Sequence, residues 1–378
     1  MQVPFARPYL TGEEGEAVAK VISTGWVSQG PQVQAFEQAF AQRVGAADAV
    51  ATTSCTTALQ LALHGIGIGP GDEVIVPSLS FIATANSVWM CGARPAFADI
   101  DPRTYNLDPA AAERAITERT RAIMPVHQVG LPADIDALLE LSQRYGLALV
   151  EDAACAIGAS YKGRPVGSLS ELACFSLHPR KVITTGEGGM IAVQDRELAA
   201  RLRRLRQHGM SVSDLARHST QQVVIETYPE PGFNYRMTDM QAALGLCQLE
   251  VLDHVLERRR VLAERYNAAI EGIPGLEPPY DPPYAERTWQ SYCVRVLPSA
   301  AVGRTELMQR LLADGIPTRR GVMAIHEEQA YAGVRQELEH TEAAARDVVM
   351  LPLFPDLTEG QQDYVIERLA AHVVALAA

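Results

Sequence analysis

Between residues 45 and 200, short apolar runs alternate with longer stretches in which apolar positions recur every three or four residues. The runs DEVIVPSL, RPAFADI, RAIMPVH, LALVEDA, ACFSLH and GMIAVQD have strand length, while segments such as PADIDALLELSQRYG have amphipathic helical spacing. Strands alternating with helices predict right-handed crossovers and a mostly parallel sheet covered on both faces, a three-layer α/β/α domain. Ligands of such sheets bind at the carboxyl ends of the strands. The ends of these runs, Ser78 to Phe81, His127, Asp152 and Ser176 to His178, are therefore the first places to seek a site.

Further along, NYRMTDMQAALGLCQLEVLDHVLERRRVLAERYNAAI keeps helical spacing throughout and predicts one long helix. The proline-rich EPPYDPPYAERTWQ follows, then SYCVRVLP and mixed helical and extended segments. This pattern predicts an N-terminal arm and large domain over residues 1–247, and a connecting helix with a smaller α+β domain over 248–378. No internal repeat or low-complexity tract interrupts it.

Composition narrows the function classes. With 378 residues, 47% hydrophobic and 21% charged, the chain has room for a sizeable buried pocket and is expected to be ordered nearly throughout. A net charge of -12 argues against a nucleic-acid surface. The one basic run, ARLRRLRQHG at 200–209, has leucines at helical spacing and reads as a solvated helix face. No stretch is long and apolar enough to span a bilayer, and MQVPFARPYL lacks a signal-peptide pattern, so a cytoplasmic location is expected. The six cysteines stand singly without metal-ligand spacing, which predicts reduced, packed thiols and no metal.

Lysine usage is more informative. Of 33 basic residues only Lys20, Lys162 and Lys181 are lysines. Arginine holds its charge permanently, whereas a lysine amine can lose its proton and attack a carbonyl. Lys20 lies in an amphipathic helical pattern and Lys162 in a turn, both expected in solvent. Lys181 lies between a strand-like run and the glycines of TTGEGG, which makes it the candidate for amine chemistry.

Other features can be weighed beside it. GIGIGPG at 65–71 follows a helix and precedes a strand, the reverse of a dinucleotide fingerprint, and reads as a loop. In TTSCTTALQLAL, hydroxyls at Ser54, Thr56 and Thr57 precede a helix; such a terminus suits phosphate, although simple N-capping would use one of them. Asp152 ends a buried strand, where it could cap a helix or face a ligand's ring nitrogen. Taken with Lys181 and the aromatic Phe81, the set describes pyridoxal phosphate, whose ring nitrogen needs a carboxylate to remain protonated.

The segments EDAACAIGA, FSLHPRKVITTGEGGM, GFNYRMTDMQAALGLCQLE, LPLFPDLT and STGWVSQGPQVQAFEQAFA resemble the sugar aminotransferases of the DegT/DnrJ/EryC1/StrS family, over nearly the whole chain and in family order. The resemblance implies the fold type I, aspartate-aminotransferase-like architecture and pyridoxal 5'-phosphate as cofactor. It implies that Lys181 carries the cofactor as a Schiff base, that Asp152 faces the pyridinium nitrogen and that Phe81 stacks on the ring. Cys55, Thr56 and Ser176 match phosphate-binding positions. Asn234 matches a residue that reaches the phosphate of the neighbouring subunit, which implies a homodimer with shared sites. Trp26, His178 and His326 are expected near the acceptor substrate. Cys155 stands at a cofactor-contacting position where many members carry histidine or glutamine, and Gln290 stands where many carry histidine. A related branch with histidine in place of the lysine performs deoxygenation, so Lys181 points to transamination. The expected reaction moves an amino group from L-glutamate to a keto-sugar, with a nucleotide-linked 3- or 4-keto-6-deoxyhexose as first expectation. A cyclitol ketone of the scyllo-inosose type, another pyridoxal-phosphate reaction, and a non-catalytic regulator are the alternatives.

Overall fold

The computed structural model describes residues 1–212, 217, 223–333 and 338–374. Its main sheet has seven strands in the order β1-β9-β8-β5-β4-β2-β3. These are β1 (Asp48–Thr52), β2 (Glu73–Pro77), β3 (Arg94–Ala98), β4 (Thr120–Ile123), β5 (Ala148–Asp152), β8 (Leu172–Ser176) and β9 (Gly189–Val193). Every pairing is parallel except those of β9, which runs antiparallel to both β1 and β8. The mostly parallel expectation therefore holds, with one reversed strand. β2, β8 and β9 are buried along their whole length, and one apolar core lies on each side of the sheet, which explains why these strands read as continuous apolar runs.

Helices α1 (Glu13–Thr24), α2 (Pro31–Val44), α3 (Cys55–Gly65), α4 (Ala83–Met90), α5 (Pro109–Arg114), α6 (Ile135–Tyr145) and α7 (Arg196–Leu205) accompany this sheet. In α6 the buried Ile135, Leu138, Leu141 and Ser142 recur at helical spacing, and Gly146 ends the helix with φ 65. A short sheet of β6 (Ser160–Tyr161), β7 (Arg164–Pro165) and β11 (Ala285–Glu286) lies apart from the main one.

Two expectations are corrected. The single long helix is two helices, α8 (Asp239–Glu250) and α9 (Leu252–Ile270), broken at Val251 with φ -96 and ψ 1. The break lets Leu252 and Val255 stay in the large core while Leu262, Ala263, Tyr266 and Ile270 enter a different one. The basic run is not a solvated face either. Arg206 is buried against Glu37, and Arg203 reaches both Glu37 and Asp48, so α7 is tied to α2 and β1 by charge.

The second unit is built on an antiparallel sheet in the order β10-β12-β14-β13, namely β10 (Leu276–Glu277), β12 (Tyr292–Val296), β14 (Val348–Leu351) and β13 (Arg319–Arg320). Helices α10 (Arg304–Ala313), α11 (Glu339–Asp347) and α12 (Glu359–Val373) belong to the same part of the chain. The N-terminal arm joins it: Val3 sits in this core, its N–H donates to Gly315 O at 3.0 Å, and Phe5 O accepts from Leu353 N at 3.4 Å. Among the described residues no helix is long and apolar enough to cross a membrane.

Candidate active site

A cavity of about 480 Å³ opens at the carboxyl ends of β5 and β8, closed from the other side by residues of the small sheet and by Phe5 and Ala6 of the arm. Asp152 lines it as the last residue of β5 and is 4% exposed. Its carboxylate accepts from the Thr84 hydroxyl at 2.8 Å and from Ala154 N–H at 3.2 Å. Burial raises its proton affinity, against the pull of these donors and of Lys181 and His127. It makes no ion pair with the described residues, so a buried carboxylate meets the cavity without a cation in direct contact, the environment a protonated pyridine nitrogen would complete.

Lys181 follows β8 in a tight turn, with its N–H donating to His178 O at 2.8 Å. Its Nζ lies 3.1 Å from Cys155 Sγ. Burial works against its charge, yet the neighbouring thiols and Asp152 outweigh burial and hold the amine above its ordinary value. Lys20 and Lys162 are exposed, and Lys162 pairs with Asp136 at 2.7 Å. The structure thus separates the three lysines by environment and puts one in the cavity.

At the start of α3, Ser54 and Thr57 cap each other reciprocally: Ser54 Oγ accepts from Thr57 N, and Thr57 Oγ1 from Ser54 N. Capping therefore consumes two of the three hydroxyls seen in the sequence. It leaves the N–H groups of Cys55 and Thr56 without an acceptor among the described residues, and both residues line the cavity. Such a helix terminus would hold a phosphate, with Ser176 at the end of β8 beside it. The glycines of TTGEGG make this turn possible, since a Cβ on Gly189 would overlap the Ser54 carbonyl and stand 2.7 Å from Cys55 N. Phe81 is 60% exposed on the cavity wall, so its ring is available to a flat ligand there.

Not every expected residue gathers here. His178 lines the cavity with Nε2 4.0 Å from Glu187. His326 does not: it is 7% exposed behind the wall, with Nδ1 2.7 Å from Ser78 Oγ and Nε2 3.4 Å from Glu342. Trp26 lies outside the lining, its Nε1–H donating to Gln29 O at 3.1 Å. Asn234 is exposed, paired through its backbone with Gln207, and outside the cavity of its own chain. Conversely, the cavity includes Thr84, Arg180, Glu187, Arg319 and Arg320, which pattern reading did not single out. Thr84 could have been found, because it follows Phe81 by three positions; Arg319 and Arg320 sit in a short strand with no sequence signal. Among the described residues no cluster of three or more potential ligands could hold a metal ion.

The cavity's parts fit pyridoxal phosphate: Asp152 for the ring nitrogen, Phe81 for a ring face, the α3 terminus for the phosphate and the Lys181 amine for the aldehyde carbon. Comparison with known proteins agrees on the cofactor. The sequence profile of the DegT/DnrJ/EryC1/StrS aminotransferase family matches residues 8–370. The chain is 40% identical over 376 residues to the spore coat polysaccharide biosynthesis protein SpsC of Bacillus subtilis, spanning 97% of this chain and 96% of that protein. Its structure is similar to DesV of S. venezuelae, at 38% identity, 99% coverage of both chains and a TM-score of 0.90. It is also similar to Spr1654 of Streptococcus pneumoniae in its PLP form, at 28% identity, 98% coverage of both chains and a TM-score of 0.90. The chain therefore belongs to the DegT/DnrJ/EryC1/StrS family and is a pyridoxal-phosphate-dependent sugar aminotransferase of fold type I.

Proposed function

We propose that the enzyme moves the amino group of L-glutamate to the ketone of a nucleotide-linked 3- or 4-keto-6-deoxyhexose. The supporting observation is charge. In a chain of net charge -12, three guanidiniums, Arg180, Arg319 and Arg320, line one cavity. Arg320 shares its charge with Glu328 at 2.8 Å, while Arg180 has no acidic partner among the described residues. A nucleotide-linked sugar brings a diphosphate that such forks recognise, whereas a cyclitol brings none.

Pyridoxal phosphate, when bound, supplies the electron sink that lets the donor's α-carbon lose a proton. Asp152 keeps the ring nitrogen protonated; Thr84 and Ala154 orient its carboxylate. The N–H groups of Cys55 and Thr56 and the Ser176 hydroxyl hold the phosphate, and Phe81 covers a ring face. Lys181 Nζ takes the proton from the donor's α-carbon and returns one to the acceptor's carbon. Asn234 completes the phosphate site of the partner subunit in a homodimer, which agrees with its exposure outside its own cavity.

L-Glutamate added alone should convert the bound cofactor to its pyridoxamine form, and a keto-sugar nucleotide added afterwards should restore the original spectrum. A panel of nucleotide sugars and an inosose tests the acceptor. Restoration by the inosose alone refutes the nucleotide-linked reading.

A further inference from the structure

The chain crosses from the larger to the smaller unit through Thr288, Trp289 and Gln290, between β11, which pairs with β6, and β12 of the small sheet. In this short crossing three donors reach three different loops around the cavity. Thr288 N–H donates to Gly130 O at 3.1 Å, the Thr288 hydroxyl to Cys155 O at 2.7 Å, and the Gln290 side-chain amide to Arg180 O at 2.7 Å. Those loops follow β4, β5 and β8. Cys155 carries the thiol that touches Lys181, and Arg180 immediately precedes Lys181.

The crossing is held in an expensive conformation. Trp289 has φ 51, a region a bulky side chain occupies at a cost of roughly 1–3 kcal/mol. Its ring lies under the Arg287 guanidinium at 4.5 Å and stacks on Tyr292 at 5.8 Å. Arg259 of α9 is 2% exposed and has no ion pair among the described residues. Burial pulls its guanidinium down to about 10, and its Nη1 donates to Trp289 O and Gln290 O at 3.1 Å each and to Leu353 O at 3.4 Å. Gly130, at φ 92, leaves room for the contact: a Cβ there would overlap the Thr288 hydroxyl and stand 3.0 Å from Cys155 O. Backbone strain, a buried cation and a glycine are all committed to one connection, beyond what joining two units requires.

We propose that Thr288 and Gln290 are positioning residues for Lys181, fixing the 3.1 Å contact between its amine and the Cys155 thiol and tying it to the seating of the smaller unit. The tether on Arg180 O restricts the backbone that carries the lysine. The tether on Cys155 O restricts the sulfur that receives its amine. Loss of either donor lets the pair separate, which changes the proton affinity of the amine and its alignment for proton transfer. The inference rests on Lys181 being the amine that holds the cofactor.

The holoenzyme variants Gln290→Met and Thr288→Val remove one donor each at nearly constant volume, and Thr288→Ser restores the hydroxyl. Spectral titration of the bound cofactor, steady-state kinetics and thermal unfolding are measured on each. The expected result is a spectral midpoint displaced by about half a pH unit or more in Gln290→Met and Thr288→Val. Their kcat should fall about tenfold while KM for glutamate changes less than about twofold, and Thr288→Ser should behave like the parent. An unchanged midpoint and kcat in Gln290→Met overturns the proposal, as does a Thr288→Ser variant as impaired as Thr288→Val. If Thr288→Val does not fold, Gln290→Met alone decides by the same criteria. Lys181→Ala serves as the separate control: retention of the lysine-linked absorption there refutes the role of Lys181, whatever the other variants do.

Discussion

Lys181 and Asp152 set opposite electrostatic demands in the same cavity. In the cofactor-free protein Lys181 holds its proton more tightly than an ordinary lysine, so its amine is charged at neutral pH. Covalent capture needs the neutral amine; the rate at which added pyridoxal phosphate acquires the lysine-linked absorption should therefore increase as pH rises, measured by stopped-flow absorbance. Lys181→Ala should abolish both that absorption and turnover while circular dichroism stays unchanged. Asp152 is shifted in the same direction, but for a carboxyl group that favours the neutral form. Burial raises its folded-state proton affinity above that of the unfolded chain, so its ionisation costs stability as pH climbs through the folded value. Asp152→Asn removes that cost. The cofactor-free variant should be at least as stable as the parent at neutral pH by denaturant titration, while holoenzyme activity should drop by about a hundredfold or more, for want of the charge facing the ring nitrogen. Lysine scarcity and the strand-end position of Asp152 made these two residues legible in the sequence. The α3 terminus was half legible, because spacing cannot tell which hydroxyls capping will consume.

At the scale of elements, alternation of period two and 3.6 revealed the layered sheet because buried parallel strands are apolar throughout. Helix breaks and ion pairs were hidden for a physical reason. Val251 is neither glycine nor proline, and the turn there is imposed by two cores competing for neighbouring side chains. The arginines of α7 look solvent-bound in sequence because their partners, Glu37 and Asp48, lie more than 150 positions away. Glu37 is buried between Arg203 and Arg206. Glu37→Ala would strand a buried guanidinium, and urea unfolding should show a loss of about 3–5 kcal/mol. His326 illustrates the converse: a histidine near the expected substrate region is used by Ser78 and Glu342 to fasten the wall.

For the whole molecule, the cavity belongs to neither unit alone, since β5 and β8 supply its floor and β13, β14 and the arm supply its roof. Asn234, exposed on one chain, is the residue proposed to extend the same logic to a second copy. If the dimer shares its sites, mixing Lys181→Ala with Asn234→Ala under subunit exchange should regenerate activity towards about a quarter of the parent's, because each hybrid holds one intact site. Absence of any regain after confirmed exchange would place Asn234 outside the partner's site. The composite nature of this cavity is poorly legible from sequence patterns, because the residues that meet are far apart along the chain.

The seating of the arm also has a consequence for how the enzyme is made. Val3 and Phe5 dock on Gly315 and Leu353, more than 300 positions later in the chain, so the arm cannot seat until those positions have been translated. Domains fold as their sequence emerges, at about 5–20 residues per second. The large sheet can thus assemble while the roof is still being translated, leaving the Lys181 pocket open for a period of many seconds. Seating of the arm therefore follows translation of Leu353, and the pocket gains its roof only after the strands that form its floor have been made.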